Sequence, residues 1–337
     1  MVSDQYWTHP LHVMVAMVPR NAPVREPKGI GLGTVRPMTQ RLTPTAAVLL
    51  IIPPILWAGN AVVGRVVSPL ISPMTLNLLR WALAFLLLLP LAHSVLRRDS
   101  PLWSQWRRFA FLALLSTSGY NALLYLALNT STPINVTLVG AITPVWMLLI
   151  GRLFFGTPIS GRQVIGAVLS IGGVVLVLCR GQWELLMGFH LVAGDLYVLL
   201  ASMGWAYYSW MLAHPTAESA SLRADWAAFL LGQIVFGLGW SVMFTAAEWT
   251  LTDVRLQWGW PLVSALIFIA VGPAVLAYRA WGAGVSRAGP AVAGFFINLT
   301  PLFTAVLSSA FLGEAPQLFH ALAFALIVSG IVLSSRR

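Results

Sequence analysis

The stretch "INLTPLFTAVLSSAFLGE" at residues 297–314 has a counterpart in "GAITPVWMLLIGRLFFGT" at residues 140–157. Each places a proline inside an otherwise apolar helical pattern and ends on an apolar run closed by glycine. The two stretches align without a gap at an offset of 157 residues, which pairs Pro144 with Pro301. Because proline removes a backbone hydrogen bond and clashes with the carbonyl four residues earlier, each pattern predicts an interrupted helix.

The composition indicates a protein that lies in a membrane. Of its 337 residues, 58% are hydrophobic and only 9% are charged, whereas a soluble domain carries about 25% charged residues. The apolar runs are about 20 residues long, which is the length that a helix needs to cross roughly 30 Å of hydrocarbon. The sequence therefore predicts an all-α polytopic membrane protein.

The formal net charge of +10 does not indicate a nucleic-acid partner. Nineteen of the 20 basic residues are arginines, and they fall almost entirely between the apolar runs, as orienting loop charges do. The single cysteine, Cys179, excludes an intramolecular disulfide and a cysteine-based metal site. We therefore expect no metal, no cofactor and no nucleic acid; the expected partners are a lipid bilayer and a small-molecule substrate.

Ten apolar runs predict ten transmembrane helices, and no connection is long enough for a separate soluble domain. Residues 1–44, rich in proline, glycine and arginine, predict a disordered cytoplasmic tail. The predicted spans are 45–67, 72–95, 108–128, 135–155, 162–179, 193–212, 226–246, 259–282, 289–312 and 317–335.

The loop arginines predict the orientation of the chain. When the loops alternate between the two sides, one side receives twelve arginines, counted from Arg41 onward, and the other receives three. Cytoplasmic loops carry the excess of basic residues, so both termini are expected in the cytoplasm, in a bacterial cytoplasmic (inner) membrane. The three arginines of the other side are Arg65, Arg180 and Arg255.

The offset of 157 residues indicates an internal repeat, with residues 45–180 as the first half and 190–335 as the second. Each half has five spans, and because five is odd, two similar halves insert in opposite orientations. Transporters use such inverted repeats to alternate access to a site near the midplane. Further pairs at this offset are Pro133/Pro290, Thr143/Thr300, Gly156/Gly313 and Gly173/Gly330.

The repeated proline has two readings. Pro144 and Pro301, with Gly140 upstream of the first, are predicted to act as hinges of two gates, one facing each side. The alternative is a static kink that only improves helix packing.

Four stretches of the chain resemble the drug/metabolite transporter superfamily, in particular its EamA-type ten-span exporters. The resemblance extends over residues 45–335 and implies export or exchange of a small metabolite, typically an amino acid, including an aromatic one. Thr157 departs from the family's Gly-Glu ending, which Glu314 retains. The four stretches are "ILWAGNAVVGR" at 55–65, "SPMTLNLLRWALAFLLLLP" at 72–90, "GDLYVLLASMGWAYYSWML" at 194–212 and "LTPLFTAVLSSAFLGE" at 299–314.

Polar and aromatic side chains within the spans are the candidate substrate-binding residues, because polar groups inside a membrane are costly. Arg80 could bind a carboxylate or phosphate with its guanidinium fork, or it could clamp helix ends. The amides Asn60, Asn121 and Asn298 could contact substrate or join helices. The aromatic candidates are Trp81, Tyr120, Tyr125, Trp146, Trp205, Tyr208, Tyr278 and Trp281.

The expected function is transport by alternating access, as a monomer or homodimer and not as an enzyme. No Asp or Glu lies near the centre of a span, which favours facilitated diffusion or exchange over proton coupling. Two alternatives stay open: a membrane enzyme that modifies a lipid or metabolite, and a scaffold that transports nothing.

Overall fold

The computed structural model describes residues 42–128, 130–131, 133–182, 184–187, 190–216, 222–312 and 317–336. Residues 1–41 of the predicted tail lie outside the described residues. Within the described residues, helices lie at all ten predicted spans, and we number them in chain order. They are α1 (Pro44–Val67), α2 (Pro73–Ala92), α3 (Trp106–Ala113, Leu114–Ser118 and Gly119–Leu128), α4 (Pro133–Gly140 and Thr143–Phe155), α5 (Gly161–Leu178), α6 (Ala193–Ala213), α7 (Trp226–Leu251), α8 (Trp260–Ile269, Ala270–Leu276 and Ala277–Ala288), α9 (Pro290–Ile297 and Leu299–Leu312) and α10 (Leu318–Ser335).

Eight helices of the described chain are long and apolar enough to cross a membrane, namely all except α3 and α6. Helix α6 is rich in tryptophan, tyrosine and serine, which lower its mean hydropathy. It is instead a helix that packs against several other elements over much of its length, with Leu196, Tyr197 and Leu200 near its start exposed. The chain is thus an all-α membrane fold in which α6 has the least lipid-like composition.

Helices α4 and α9 are both interrupted, three residues before the repeated proline rather than at it. The first piece of α4 ends at Gly140 and the second begins at Thr143, which puts Pro144 in its first turn. In α9 the interruption falls at Asn298. Proline is favourable in a first helical turn because its missing N–H has no intrahelical partner there. The predicted proline-centred kink is therefore a helix end followed by a new helix start.

The interruptions free backbone carbonyls that must find donors inside the protein, because lipid offers none. The Thr143 hydroxyl donates to the Gly140 carbonyl at 2.6 Å. The Asn298 side-chain amide donates to the Ala141 carbonyl at 3.2 Å and to Ser170 Oγ at 2.9 Å. Residue 298 is the repeat counterpart of residue 141, so the two interruptions touch each other.

Helices α5 and α10 pack backbone to backbone through small residues. A Cβ atom at Gly166 would lie 2.8 Å from the carbonyl oxygen of Gly330, and one at Gly330 would lie 2.6 Å from that of Gly166. A Cβ atom at Gly173 would lie 2.8 Å from the carbonyl oxygen of Ala323. Gly173 and Gly330 are repeat counterparts, as are Gly166 and Ala323. The interface therefore maps onto itself when the halves are exchanged.

The remaining helix contacts also keep their pattern when the two halves of the chain are exchanged. Helix α1 packs against α8 and α9, and its counterpart α6 packs against α3 and α4. Helices α2 and α7 pack against each other. Helices α3 and α8 each contain a π-helical section, Leu114–Ser118 and Ala270–Leu276, and these coincide at the 157-residue offset. The halves are thus interleaved rather than side by side.

One end of the α2–α7 pair carries a tie between the two halves. The Ser72 N–H donates to the Arg255 carbonyl, and the Gln257 N–H donates to the Leu70 carbonyl, both at 2.8 Å. The Glu248 carboxylate accepts from backbone N–H groups in the first turn of α2. The loop after α7 is therefore hydrogen-bonded to the loop between α1 and α2, and we call this contact the strap.

Candidate functional site

Seven aromatic rings from five helices meet in one cluster, with Trp205 of α6 among its most connected members. Trp205 lies 5.2 Å from Trp57, 5.6 Å from Tyr120 and 5.7 Å from Tyr278, measured between ring centroids. Most of these contacts are edge-to-face or tilted, the geometries that the ring quadrupole favours. We call this set the aromatic cluster; its members are Trp57, Trp81, Tyr120, Trp205, Tyr208, Tyr278 and Trp281.

The aromatic cluster lies where the two halves meet. At an offset of 148 residues, Trp57-Ala58 of α1 is repeated by Trp205-Ala206 of α6. The two tryptophans are in edge-to-face contact, so counterpart residues touch each other here as they do at the helix interruptions. The sequence analysis missed Trp57 as a site residue, and this second offset is the signal that would have found it.

Three buried donors at the aromatic cluster have no acceptor among the described residues. They are Arg80 Nε, Trp81 Nε1 and Trp205 Nε1. Two neighbouring indoles do have acceptors: Trp57 Nε1 donates to the Pro273 carbonyl at 3.3 Å, and Trp281 Nε1 donates to Ser209 Oγ at 3.1 Å. An indole can only donate. The unmatched groups therefore call for an acceptor that the described residues do not supply.

Arg80 places a positive charge at the edge of the aromatic cluster. Its residue is only 6% exposed, and its Cζ lies 5.1 Å from the centroid of the Trp81 ring. Its charge also reaches the Tyr278 hydroxyl electrostatically. In the described part of the chain, no carboxylate forms an ion pair with Arg80. A buried guanidinium without a counter-charge is expensive, and the described residues show no ion pair that would offset this cost.

Three carboxylates of the described residues, Asp195, Asp225 and Glu248, accept hydrogen bonds at helix starts. Asp195 accepts from Ser131 and from the Val192 N–H at the start of α6. Asp225 caps the start of α7, and Glu248 caps the start of α2. Glu184 and Asp253 are exposed. Nor do the described residues contain a group of three or more His, Cys, Asp or Glu side chains that could hold a metal ion.

Two further arginines lie near the end of α6, and one of them, Arg223, interacts with a member of the aromatic cluster. Arg108 donates to the backbone carbonyls of Met211 and His214, at 3.2 and 3.1 Å. Arg223 lies between α6 and α7, where burial lowers the pKa of its guanidinium, and its charge interacts with the Tyr208 hydroxyl. The surroundings of the aromatic cluster are thus positive at this end as well.

The structure brings together six of the candidate residues, and it separates the others. Asn121 donates to the Thr117 carbonyl in the π-helical section of α3, and Asn298 joins the two helix interruptions. Trp146 and Asn60 are half-buried outside the ring contacts of the aromatic cluster. The side chains of Tyr125 and Glu314 lie outside the described residues. The predicted residues that meet are Trp81, Tyr120, Trp205, Tyr208, Tyr278 and Trp281.

Asn77 belongs to a polar contact that sequence reasoning did not resolve. Its side-chain amide donates to Ser241 Oγ of α7 at 3.2 Å, and Ser241 is also within 3.1 Å of Ser118 Oγ. Ser118 Oγ donates to the Gly237 carbonyl at 2.7 Å. This small network joins α2, α3 and α7 beside the aromatic cluster and has the character of helix-joining hydrogen bonds.

Comparison with known proteins agrees with this geometry. The EamA-like transporter family matches residues 44–179 and again residues 192–336. The chain belongs to this family. Its two matches coincide with the two halves described above, and the family is one of transporters, so the chain is a multi-pass membrane transporter and not an enzyme.

Individual relatives are similar at low identity. An uncharacterized transporter of Archaeoglobus fulgidus is 25% identical over 86% of this chain and 96% of its own length. The aromatic amino acid exporter YddG of Ancylobacter novellus is 23% identical over 72% of this chain and 78% of its own. A crystal structure with 20% sequence identity superposes with a TM-score of 0.68, covering 86% of this chain and 96% of that one; it supports the fold alone.

Proposed function

We propose that the protein exports or exchanges a small metabolite with an aromatic or apolar body, such as an aromatic amino acid, by alternating access. The aromatic cluster is the binding site. The observation that carries the proposal is the contact between Trp57 and Trp205, because it puts the aromatic cluster where the two halves of the chain meet. A relative named as an aromatic amino acid exporter supports the choice of cargo.

Alternating access follows from the two-fold character of the contacts. Each half, residues 45–180 and 190–335, holds five helices, so the halves are inverted relative to each other. An inverted pair can expose one central site first to one side and then to the other. The loop arginines support an orientation with both termini in the cytoplasm of a bacterium and the protein in its inner membrane.

Helices α4 and α9 are the proposed gates. Each consists of two rigid pieces joined at an interruption, and the joints meet through Asn298 and Ala141. Pro144 and Pro301 fix the start of each second piece, and Gly140 ends the first piece of α4. A small rotation of one second piece opens one side, while the counterpart interruption keeps the other side closed.

Counterflow in proteoliposomes tests the proposal. Vesicles loaded with unlabelled phenylalanine, tryptophan or leucine are exposed to the labelled compound, with and without a proton gradient. We expect saturable counterflow of an aromatic compound without a gradient, lost in Trp205→Ala and kept in Trp258→Ala, which removes an exposed tryptophan. Absence of counterflow for every aromatic and apolar compound, with inserted protein verified, would overturn the proposed cargo.

A further inference from the structure

We propose that the site recognises its cargo through a carboxylate, bound by Arg80 together with the indole N–H groups of Trp81 and Trp205, and that an ammonium group on the cargo is dispensable. This inference rests on the proposed function and deepens it. It assigns an anionic subsite to the aromatic cluster and predicts that the cargo class includes aryl and alkyl carboxylates without an amino group.

The first step is the shared chemistry of the unmatched groups. Arg80 Nε, Trp81 Nε1 and Trp205 Nε1 are all donors, and their residues are at least nine-tenths buried. Leaving a buried donor unpaired costs free energy, most of all when the donor is charged. A ligand that brings acceptor oxygens supplies the kind of partner that each of these groups lacks.

The second step is the charge and shape of that ligand. A guanidinium binds a carboxylate through two parallel N–H···O bonds, and this pairing is among the strongest hydrogen bonds in proteins. Trp81 also contacts Tyr278, at 5.1 Å between ring centroids, so an apolar body attached to the carboxylate would lie against aromatic rings. A carboxylate at Arg80 and a ring within the aromatic cluster are therefore compatible in one small molecule.

The third step concerns the ammonium group of an amino acid. Asp195, Asp225 and Glu248 are occupied at helix starts, as described above, so no described carboxylate is available to it. An ammonium group would find only aromatic faces and neutral oxygens such as Asn77 Oδ1, which has no partner among the described residues. These contacts are weaker than an ion pair. Recognition thus depends on the carboxylate.

A purely structural role for Arg80 would require different contacts. A clamp on helix ends needs backbone carbonyls within hydrogen-bond distance, as Arg108 has at Met211 and His214. Among the described residues, no carbonyl accepts from Arg80, and its Nε has no partner. The contrast between the two arginines favours a ligand-binding role for Arg80.

Three compounds that share a phenyl ring separate the contributions: phenylalanine, 3-phenylpropionate, which lacks the ammonium, and phenethylamine, which lacks the carboxylate. Binding to the purified full-length protein is measured by calorimetry, and competition is measured against counterflow of the labelled aromatic substrate. We expect 3-phenylpropionate to bind at least as tightly as phenylalanine and phenethylamine to bind at least tenfold more weakly. Phenethylamine binding as tightly as phenylalanine, or none of the three binding, would overturn the carboxylate subsite.

Charge variants test the residue itself. Arg80→Gln is expected to weaken 3-phenylpropionate binding about tenfold to hundredfold, the range for a lost hydrogen bond to a charged group, and Arg80→Lys is expected to restore part of the affinity. Arg65→Gln makes the same charge change at an exposed position and should leave binding unchanged. Equal affinity in a folded Arg80→Gln protein would refute the assignment.

The indoles supply a test that removes no charge. Trp205→Phe deletes an N–H without an acceptor, whereas Trp281→Phe deletes one that already bonds to Ser209. The first variant should weaken 3-phenylpropionate several-fold and leave phenethylamine unchanged; the second should not discriminate between the two compounds. The reverse pattern would remove Trp205 from the subsite. No preference for the compounds that carry a carboxylate, with counterflow of an aromatic compound intact, would overturn only this inference and not the transport proposal.

Discussion

The α5–α10 interface and the aromatic cluster both lie between the two halves of the chain, but small residues form the first and bulky aromatic residues form the second. At α5–α10, small residues bring the backbones together, and Gly166 and Gly330 leave no room for a side chain. In the aromatic cluster, bulky rings meet at centroid distances of 5–6.5 Å and three donors stay unmatched. The helix contacts of the first region leave no space between the backbones, whereas the second contains buried donors without an acceptor among the described residues.

The difference teaches which part of a transporter of this kind can move. Backbone contacts between small residues are lost at once if the helices separate, so α5 and α10 act as a fixed pair. Edge-to-face aromatic contacts are each worth only about 0.5–1.5 kcal/mol beyond their burial. The rings can therefore exchange contacts with each other for contacts with an aromatic cargo at little cost.

The largest expected effect on stability comes from a substitution that forces α5 and α10 apart. Gly173→Val places side-chain atoms against the Ala323 carbonyl and Ile327, so we expect a loss of about 2–3 kcal/mol in the free energy of unfolding, as for overpacked cores. Gly172→Val is the matched control, because a Cβ atom there meets nothing within 4 Å. Unfolding in detergent micelles measures both. Equal stability of the two variants would contradict the close helix contact.

A second comparison uses two tryptophans of α6. Trp210 Nε1 donates to the Met147 carbonyl at 2.7 Å, whereas Trp205 Nε1 has no acceptor among the described residues. We expect Trp210→Phe to cost about 1–2 kcal/mol of stability and Trp205→Phe to cost clearly less, because only the first breaks a buried hydrogen bond. Denaturation followed by tryptophan fluorescence measures the difference. A larger loss for Trp205→Phe would mean that its N–H is already satisfied.

We expect a smaller loss of stability from breaking the contact between the two helix interruptions. Asn298→Leu removes the donor to Ala141 and Ser170, and hydrogen bonds between membrane helices average about 0.6 kcal/mol with a maximum near 1.7. We expect a loss of about 1 kcal/mol together with a changed counterflow rate. Thr304→Val removes a bond within the same helix and serves as the control. Unchanged stability and rate in Asn298→Leu would show that the joint is dispensable.

The smallest expected change in stability is that of the repeated prolines. Pro144→Ala and Pro301→Ala should each alter the free energy of unfolding by less than about 1 kcal/mol, because a first helical turn lacks the bond that proline removes. If the interruptions act as gates, the counterflow rate should fall while substrate affinity stays the same. A rate equal to that of the wild type would assign Pro144 and Pro301 to packing alone.

Much of this architecture was predictable from the sequence, because hydrophobicity and charge are local signals. The ten spans follow from apolar runs, and the repeat follows from matched prolines and glycines. The position of each interruption did not follow, since proline marks where a helix starts and the chain breaks three residues earlier, at 141 and 298. The π-helical sections of α3 and α8 have no local signature in the sequence.

The candidate site was only partly predictable. Trp205 and Tyr278 are recognisable as aromatic residues inside spans, but which aromatics meet depends on how the halves interleave. Asn121 and Asn298 looked like substrate contacts because they are polar and within a span, yet both serve freed backbone carbonyls. That demand arises from irregular helix geometry, which the side-chain pattern does not reveal.

The strap between the loop after α7 and the loop after α1 has a consequence for the direction of transport. Between its Trp-Ala pair and its π-helical section, the second half is nine residues longer than the first. This number is the difference between the two repeat offsets, 157 and 148 residues. Helix α7 is accordingly longer than α2, and its end carries Glu248 over the start of α2. Opening that end must separate Ser72 from Arg255 and Leu70 from Gln257. If the chain works by alternating access as proposed, these contacts make its two resting states unequal in free energy and favour the one in which that end is closed.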